Sequence, residues 1–205
     1  MDFTVTALVT LFVVVDPLGL APAFVAITNG LPQQARRSVA ARVCIIAGIV
    51  LAGAALIGGW LLAKLSISLP AFRIAGGLLL FSIASEMVFG VRIERQAKTA
   101  EQAIEEHVRN IAAFPIAIPL MAGPGALTAT ILLSGRAGSD PTMLSALIGV
   151  ILVVVIVCFI TFLAASRIER LLGITGNIVI SRLLGVLLAA LAVQFVIDGI
   201  RAVWG

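Results

Sequence analysis

Six apolar runs, each of about 19 residues or more, dominate the chain, at 3–28, 42–63, 69–91, 111–134, 142–165 and 178–203. A run of that length crosses a hydrocarbon core of about 30 Å as a helix, which satisfies its own backbone polar groups. Period-two alternation is absent, which argues against a barrel. Composition agrees: 61% of the 205 residues are hydrophobic and 12% charged, more apolar surface than a soluble domain of this size can hide. The expected fold class is all-α, a polytopic membrane protein with six transmembrane helices. Binding of nucleic acid is not expected from the net charge of +4, because basic residues in such a chain act as topology signals.

Those signals are lopsided. Arg36, Arg37, Arg42, Arg92, Arg95, Lys98, Arg109, Arg167, Arg170 and Arg182 fall on one side of the membrane, and only Lys64, Arg73, Arg136 and Arg201 on the other. The basic side faces the cytoplasm, so both termini are expected outside it. The N-terminus has no basic region before its apolar run and reads as a retained span, not a signal peptide. Cys44 and Cys158 lie inside apolar runs and read as small buried hydrophobes. The polar connector 91–110 contains "TAEQ" (99–102), a capping-box pattern for a short surface helix. It also holds the single histidine, His107, which has no companion ligands to suggest a metal.

The chain is also written twice. "FRIAGGLLLFSIASEMVFG" (72–90) aligns with "SRLLGVLLAALAVQFVIDG" (181–199) at an offset of 109, matching Arg73 with Arg182, Gly76 with Gly185 and Gly90 with Gly199. "VVVDPLGLAP" (13–22) aligns with "PLMAGPGALT" (119–128), Pro17 meeting Pro124. The expected organisation is a first three-helix repeat (1–90), a cytoplasmic connector (91–110) and a second three-helix repeat (111–205). Three spans per half make the second half enter from the opposite face, an inverted arrangement used by secondary transporters.

Both first spans of the halves are interrupted. "DPLGLAP" (16–22) and "AGPG" (122–125) put proline and glycine about 13 residues into their spans, roughly 20 Å deep at 1.5 Å per residue. Proline removes a helix hydrogen bond and glycine loosens the backbone. Freed backbone groups in hydrocarbon need partners or a cavity. Discontinuous first and fourth helices around a midplane site are therefore expected, with Asp16, Pro17, Gly19, Pro22, Gly123, Pro124, Gly125, Thr128 and Thr130 as the substrate-binding set. A carboxylate at mid-membrane costs about 2.5–3.5 kcal/mol even on a lenient scale, so Asp16 is expected to face the interior. It also suits a cap on the half-helix after Pro17, and the two roles are compatible. Amide groups after Gly125 suit a carboxylate, while Asp16 and the carbonyls before it suit an ammonium; a small zwitterion matches both poles. Thr128 and Thr130 either offer hydroxyls to the solute or bond back to the carbonyl four residues earlier. Ser85, Glu86 and Gln194 are accessory polar candidates; Asp198 is expected at the interface near Arg201, and Arg73 and Arg182 to snorkel.

The stretches "DPLGLAPAF" (16–24), "AFRIAGGLLLFSIASEM" (71–87), "PLMAGPGALT" (119–128) and "AVQFVIDGI" (192–200) together resemble the MarC family, which includes SnatA-type neutral amino acid transporters. The resemblance covers nearly the whole chain. It implies six spans, an inner (plasma) membrane location, and transport of glycine and other small neutral amino acids with proton coupling by analogy. One departure stands beside the proposed site: Leu20 replaces the Asn that many relatives carry after the glycine of the first motif.

The expected function is thus a secondary transporter of small neutral amino acids, acting by alternating access, with the bilayer, a zwitterionic solute and protons as partners and no cofactor or metal. An enzyme is not expected, since no H-E-x-x-H motif occurs and Asp16 is the one acid at mid-depth. The alternatives are an exporter of another small solute, or a membrane partner protein recognised through the 91–110 loop.

Overall fold

A computed structural model of the chain describes residues 3–92, 95, 121–138 and 140–204. The connector with its "TAEQ" pattern and His107, and the opening residues of the expected fourth span, lie outside the described residues. Everything described is helix, turn or short connection, with no strand among these residues.

The first span is two helices, α1 (Phe3–Val15) and α2 (Pro17–Ile27), joined at Asp16. A turn at Thr28–Gly30 leads to α3 (Gln33–Lys64). At about 1.5 Å per residue its 32 residues measure roughly 48 Å, longer than the hydrocarbon core. The sequence expectation of a span from 42 to 63 marked only its apolar part. The helix starts nine residues earlier, because helical hydrogen bonding continues past the lipid boundary and carries Arg36 and Arg37 within it.

α4 (Leu69–Phe89) opens on Ser68, whose hydroxyl accepts from the Ala71 N–H at 3.3 Å, and ends at Gly90 with φ 84°. α5 (Pro124–Ala137) is the described part of the expected fourth span. The helical stretch Pro141–Trp204 is broken at Gly173 (φ 60°, ψ −176°), which leaves two spans, α6 (Pro141–Ile168) and α7 (Thr175–Trp204). Gly173 stands where a side chain would be strained.

The chain has five candidate membrane spans among the described residues, and their outer faces are those of helices in lipid. On α3, Ile45, Ile49, Leu56 and Trp60 are each 56% exposed or more and fall on one stripe at helical spacing. The protein is therefore an integral multi-pass membrane protein. Burial is unequal, and this locates the centre. In the first span 67% of the most apolar window is buried, against 28% in α3, α4 and α7. The helix pair containing the interruption is the axis of the bundle.

Small residues close the contacts around that axis. A Cβ at Gly77 would stand 2.7 Å from the Ala192 carbonyl, and one at Gly185 would stand 2.8 Å from Met87 Cβ. These contacts run α4 antiparallel to α7. Gly58 and Gly76 admit Ile131 and Leu132 of α5 in the same way, whereas Gly53 faces open space. Cys44 and Cys158 are both buried and free, as read from their apolar surroundings.

Candidate functional site

The interruption of the first span is built by four consecutive effects. Asp16 has φ 54° and ψ 67°, a left-handed conformation that costs roughly 1–2 kcal/mol for an L residue, though aspartate adopts it more readily than most. Pro17 has no N–H, so the Val13 carbonyl loses its helical donor. The Gly19 N–H donates to Asp16 Oδ1 at 3.0 Å, the expected N-cap, a bond whose type stabilises by about 1 kcal/mol. Finally, the Val14 carbonyl accepts from Arg92 Nη2 at 2.8 Å. The path is otherwise continuous: the Asp16 N–H donates to the Phe12 carbonyl at 3.0 Å and the Leu20 N–H to the Asp16 carbonyl at 3.1 Å. One residue, not a loop, separates the two helices. Gly19 is fixed by the same geometry, because a Cβ there would fall on the Asp16 carboxylate. Pro22 removes a second N–H one turn further on, inside α2.

Arg92 is the residue that sequence reasoning missed. It looked like one more basic topology signal at a helix end. Instead, Gly90 ends α4 in a left-handed turn, and Arg92 is 6% exposed with its guanidinium against a carbonyl 78 residues earlier. Its charge and that of Asp16 attract one another, yet no direct ion pair joins them among the described residues. Arg92 Nη1 is buried and has no hydrogen-bond partner, and neither has Thr10 Oγ1, which lies one turn before Val14 on the same face of α1. A buried donor left unmade costs about 1–3 kcal/mol.

The start of α5 meets the interruption of the first span. Gly123 is extended (φ −70°, ψ 176°) and α5 starts at Pro124 with no side-chain cap. A Cβ at Gly125 would stand 3.3 Å from Val14 Cγ1, and closer still to the Ile83 side chain of α4. The uncapped start of α5 therefore abuts the end of α1, at the residue whose carbonyl Arg92 holds. Gly123 and Gly125 are buried, while Pro124 is exposed.

The other expected site residues divide. Thr130 is buried, but its hydroxyl donates to the Ala126 carbonyl at 2.7 Å, so back-bonding uses the proton that was a candidate for the solute. Thr128 is 7% exposed, and its methyl packs toward Gly76. Ser85 bonds back to the Phe81 carbonyl at 2.9 Å, Glu86 pairs with Arg95 at 2.8 Å, and Gln194 donates to Asp198 Oδ1 at 2.7 Å. These three hold other partners, not Asp16. Asp198 is paired with Arg136 of α5, not with the nearby Arg201, and Arg136 lies over the Phe195 ring at 4.6 Å. Among the described residues no three His, Cys, Asp or Glu side chains gather where a metal could be held.

The profile of the MarC family integral membrane proteins matches residues 1–204. The chain belongs to the MarC family. Over 201 residues it is 37% identical to a UPF0056 membrane protein of Archaeoglobus fulgidus, covering 98% of this chain and 93% of the relative. It is 33% identical over 199 residues to a UPF0056 membrane protein of Aquifex aeolicus, covering 96% and 92%. It is likewise 33% identical over 195 residues to the UPF0056 membrane protein YhcE of Escherichia coli, covering 95% and 90%. These names give a membrane location and no activity. No solved structure matches the chain.

Proposed function

We propose that this MarC family member is a secondary transporter of small neutral amino acids, of the glycine and alanine class, with its site at the junction of Asp16, Arg92 and the start of α5. One observation carries the reading: two buried, opposite charges stand apart at the interrupted centre of the bundle, one with an unpartnered N–H. A bulk-apolar interior tolerates such a pair only at high cost unless something bridges it. A zwitterion does so, its ammonium on Asp16 and its carboxylate on Arg92 Nη1 and the first amides of α5. Leu20, fully buried beside the cap, favours a solute with little polar side chain.

In this reading residues 1–90 and 111–205 are inverted repeats in an inner membrane, with both termini outside the cytoplasm. The aligned Arg, Gly and Pro positions of the two halves support it. One half rocks against the other to open the site to each side in turn. Asp16 either holds the ammonium or carries the coupled proton.

The test is uptake by purified protein in liposomes, with labelled glycine and alanine, with and without a pH gradient. Saturable uptake that Asp16→Ala abolishes is expected. Asp16→Asn separates the two roles of the acid: binding is lost if it holds the ammonium, and binding survives without pH dependence if it carries the proton. A correctly inserted protein that moves no small neutral amino acid overturns the reading.

A further inference from the structure

A second polar site lies away from the interruption, where the first turns of α3 meet the end of α6. A cavity of about 340 Å³ there is lined by Gln33, Arg36, Arg37, Ser166 and Arg167 over a floor that includes Phe162. Among the described residues no carboxylate lines it. Three guanidinium groups thus share one cleft, with no acid among its described lining residues.

Their placement opposes local electrostatics. Arg36 and Arg37 sit in the opening turns of α3, where the helix presents its partial positive end, and basic residues there are unfavourable. The N-cap, Pro32, offers no side-chain bond to the first amides, so these too remain as donors. Arg36 is held by its Nε on Thr28 Oγ1 at 3.1 Å, and Thr28 in turn donates to the Phe24 carbonyl at 2.7 Å. Phe24 stacks on Phe162 with ring centroids 4.5 Å apart, so the floor beneath the arginine is rigid. Among the described residues Arg37 and Arg167 make no hydrogen bond or ion pair. A basic residue serving only to orient the chain could stand anywhere near the span ends. Convergence on a preformed cleft is what an oxyanion ligand requires.

We propose that this cleft binds a phosphate group, held by Arg36, Arg37, Arg167 and the open amides of α3. Guanidinium forks match phosphate oxygens in geometry as well as charge. The basic-residue count puts this end of the bundle at the cytoplasmic face, where anionic lipid headgroups supply phosphodiesters and the cytosol supplies free phosphate. An apolar floor beside the charges suits the lipid. The site is independent of the transport reading.

The test measures binding of a short-chain phosphatidylglycerol to the full chain in detergent, against phosphatidylcholine as the zwitterionic control. Inorganic phosphate is then added as competitor. The cleft variant is Arg37→Gln with Arg167→Gln, which keeps the Arg36–Thr28 tie; the control variant is Arg170→Gln with Arg182→Gln, which removes the same charge outside the cleft. Melting temperature verifies that both fold. The expected result is phosphatidylglycerol binding at least tenfold tighter than phosphatidylcholine, a tenfold loss in the cleft variant, and less than a twofold change in the control. Displacement by millimolar phosphate assigns the site to phosphate from either source, and resistance to it assigns the site to lipid. Equal loss in both variants, or binding retained in the cleft variant, overturns the proposal.

Discussion

Two polar clusters sit inside this bundle, and they are assembled differently. At the α5–α7 contact, Arg136 pairs with Asp198 Oδ2, Gln194 takes Asp198 Oδ1, and the guanidinium lies on the Phe195 ring. Both carboxylate oxygens are used, and the ion pair is about a quarter exposed (25% and 28%). At the first-span interruption, Asp16 and Arg92 are 1% and 6% exposed, yet each is tied to backbone and not to the other. The better-shielded charges are the less completely paired. A cluster whose groups satisfy each other is a fastening. One that keeps buried opposite charges apart leaves a donor unused, as the proposed site requires.

The largest way to break this contrast is Gly19→Ala. Its methyl group collides with the Asp16 carboxylate, so the cap or the left-handed turn must give way. Liposome uptake is expected to fall to background. Gly53→Ala, placed where nothing lies within 4 Å, is expected to leave uptake unchanged. Equal losses in both would mean that glycine content matters and the carboxylate geometry does not.

Next in size is Arg92→Gln. An amide still reaches a carbonyl such as that of Val14, but it carries no charge for a solute carboxylate. The apparent KM for glycine is expected to rise tenfold or more, equivalent to about 1.4 kcal/mol, with the maximal rate much less affected. A fall in melting temperature with KM unchanged would instead make Arg92 a cap for α1 and nothing more. Asp198→Asn reverses the pattern. For a partly screened pair the loss is about 1 kcal/mol or less, read as a melting temperature lower by about 2–4 °C, with uptake retained. A large uptake defect in Asp198→Asn would erase the distinction between the clusters.

How much of this was legible follows from distance along the chain. Five of the six spans were, because apolar runs are local, and so was the Asp16 cap, since an acid before proline with a glycine three residues on forms its bond within one turn. Thr130 was readable as one of two options for the same reason. Arg92 was not: its partner is 78 residues away, and before a fold is known a buried arginine and a snorkelling one have the same sequence context. The partner of Asp198 was not legible either, since Arg136, which pairs with it, lies on another helix. The start of α3 was missed for a different cause. Hydropathy ends at the lipid boundary, while the helix continues through Arg36 and Arg37 into water.

The smallest effect lies outside the membrane, and it separates local capping from both clusters. Asp140 precedes α6 and accepts from the Thr142 N–H at 2.8 Å and from the Thr142 hydroxyl through the same oxygen. These bonds, the hydroxyl's first, hold its carboxyl below the ordinary value of 3.8. A depressed folded-state value means that the stabilisation is complete above the unfolded-state value and disappears as pH falls through the folded one. The melting temperature of the native chain minus that of Asp140→Ala is therefore expected to be small, constant from pH 7 to pH 5, and to shrink toward zero below about pH 4. Uptake at neutral pH should be untouched, because the cap shapes only the first turn of α6. A difference that instead grows on acidification would mean that the charge of Asp140 opposes folding, and that its hydrogen bonds to Thr142 do not determine its contribution.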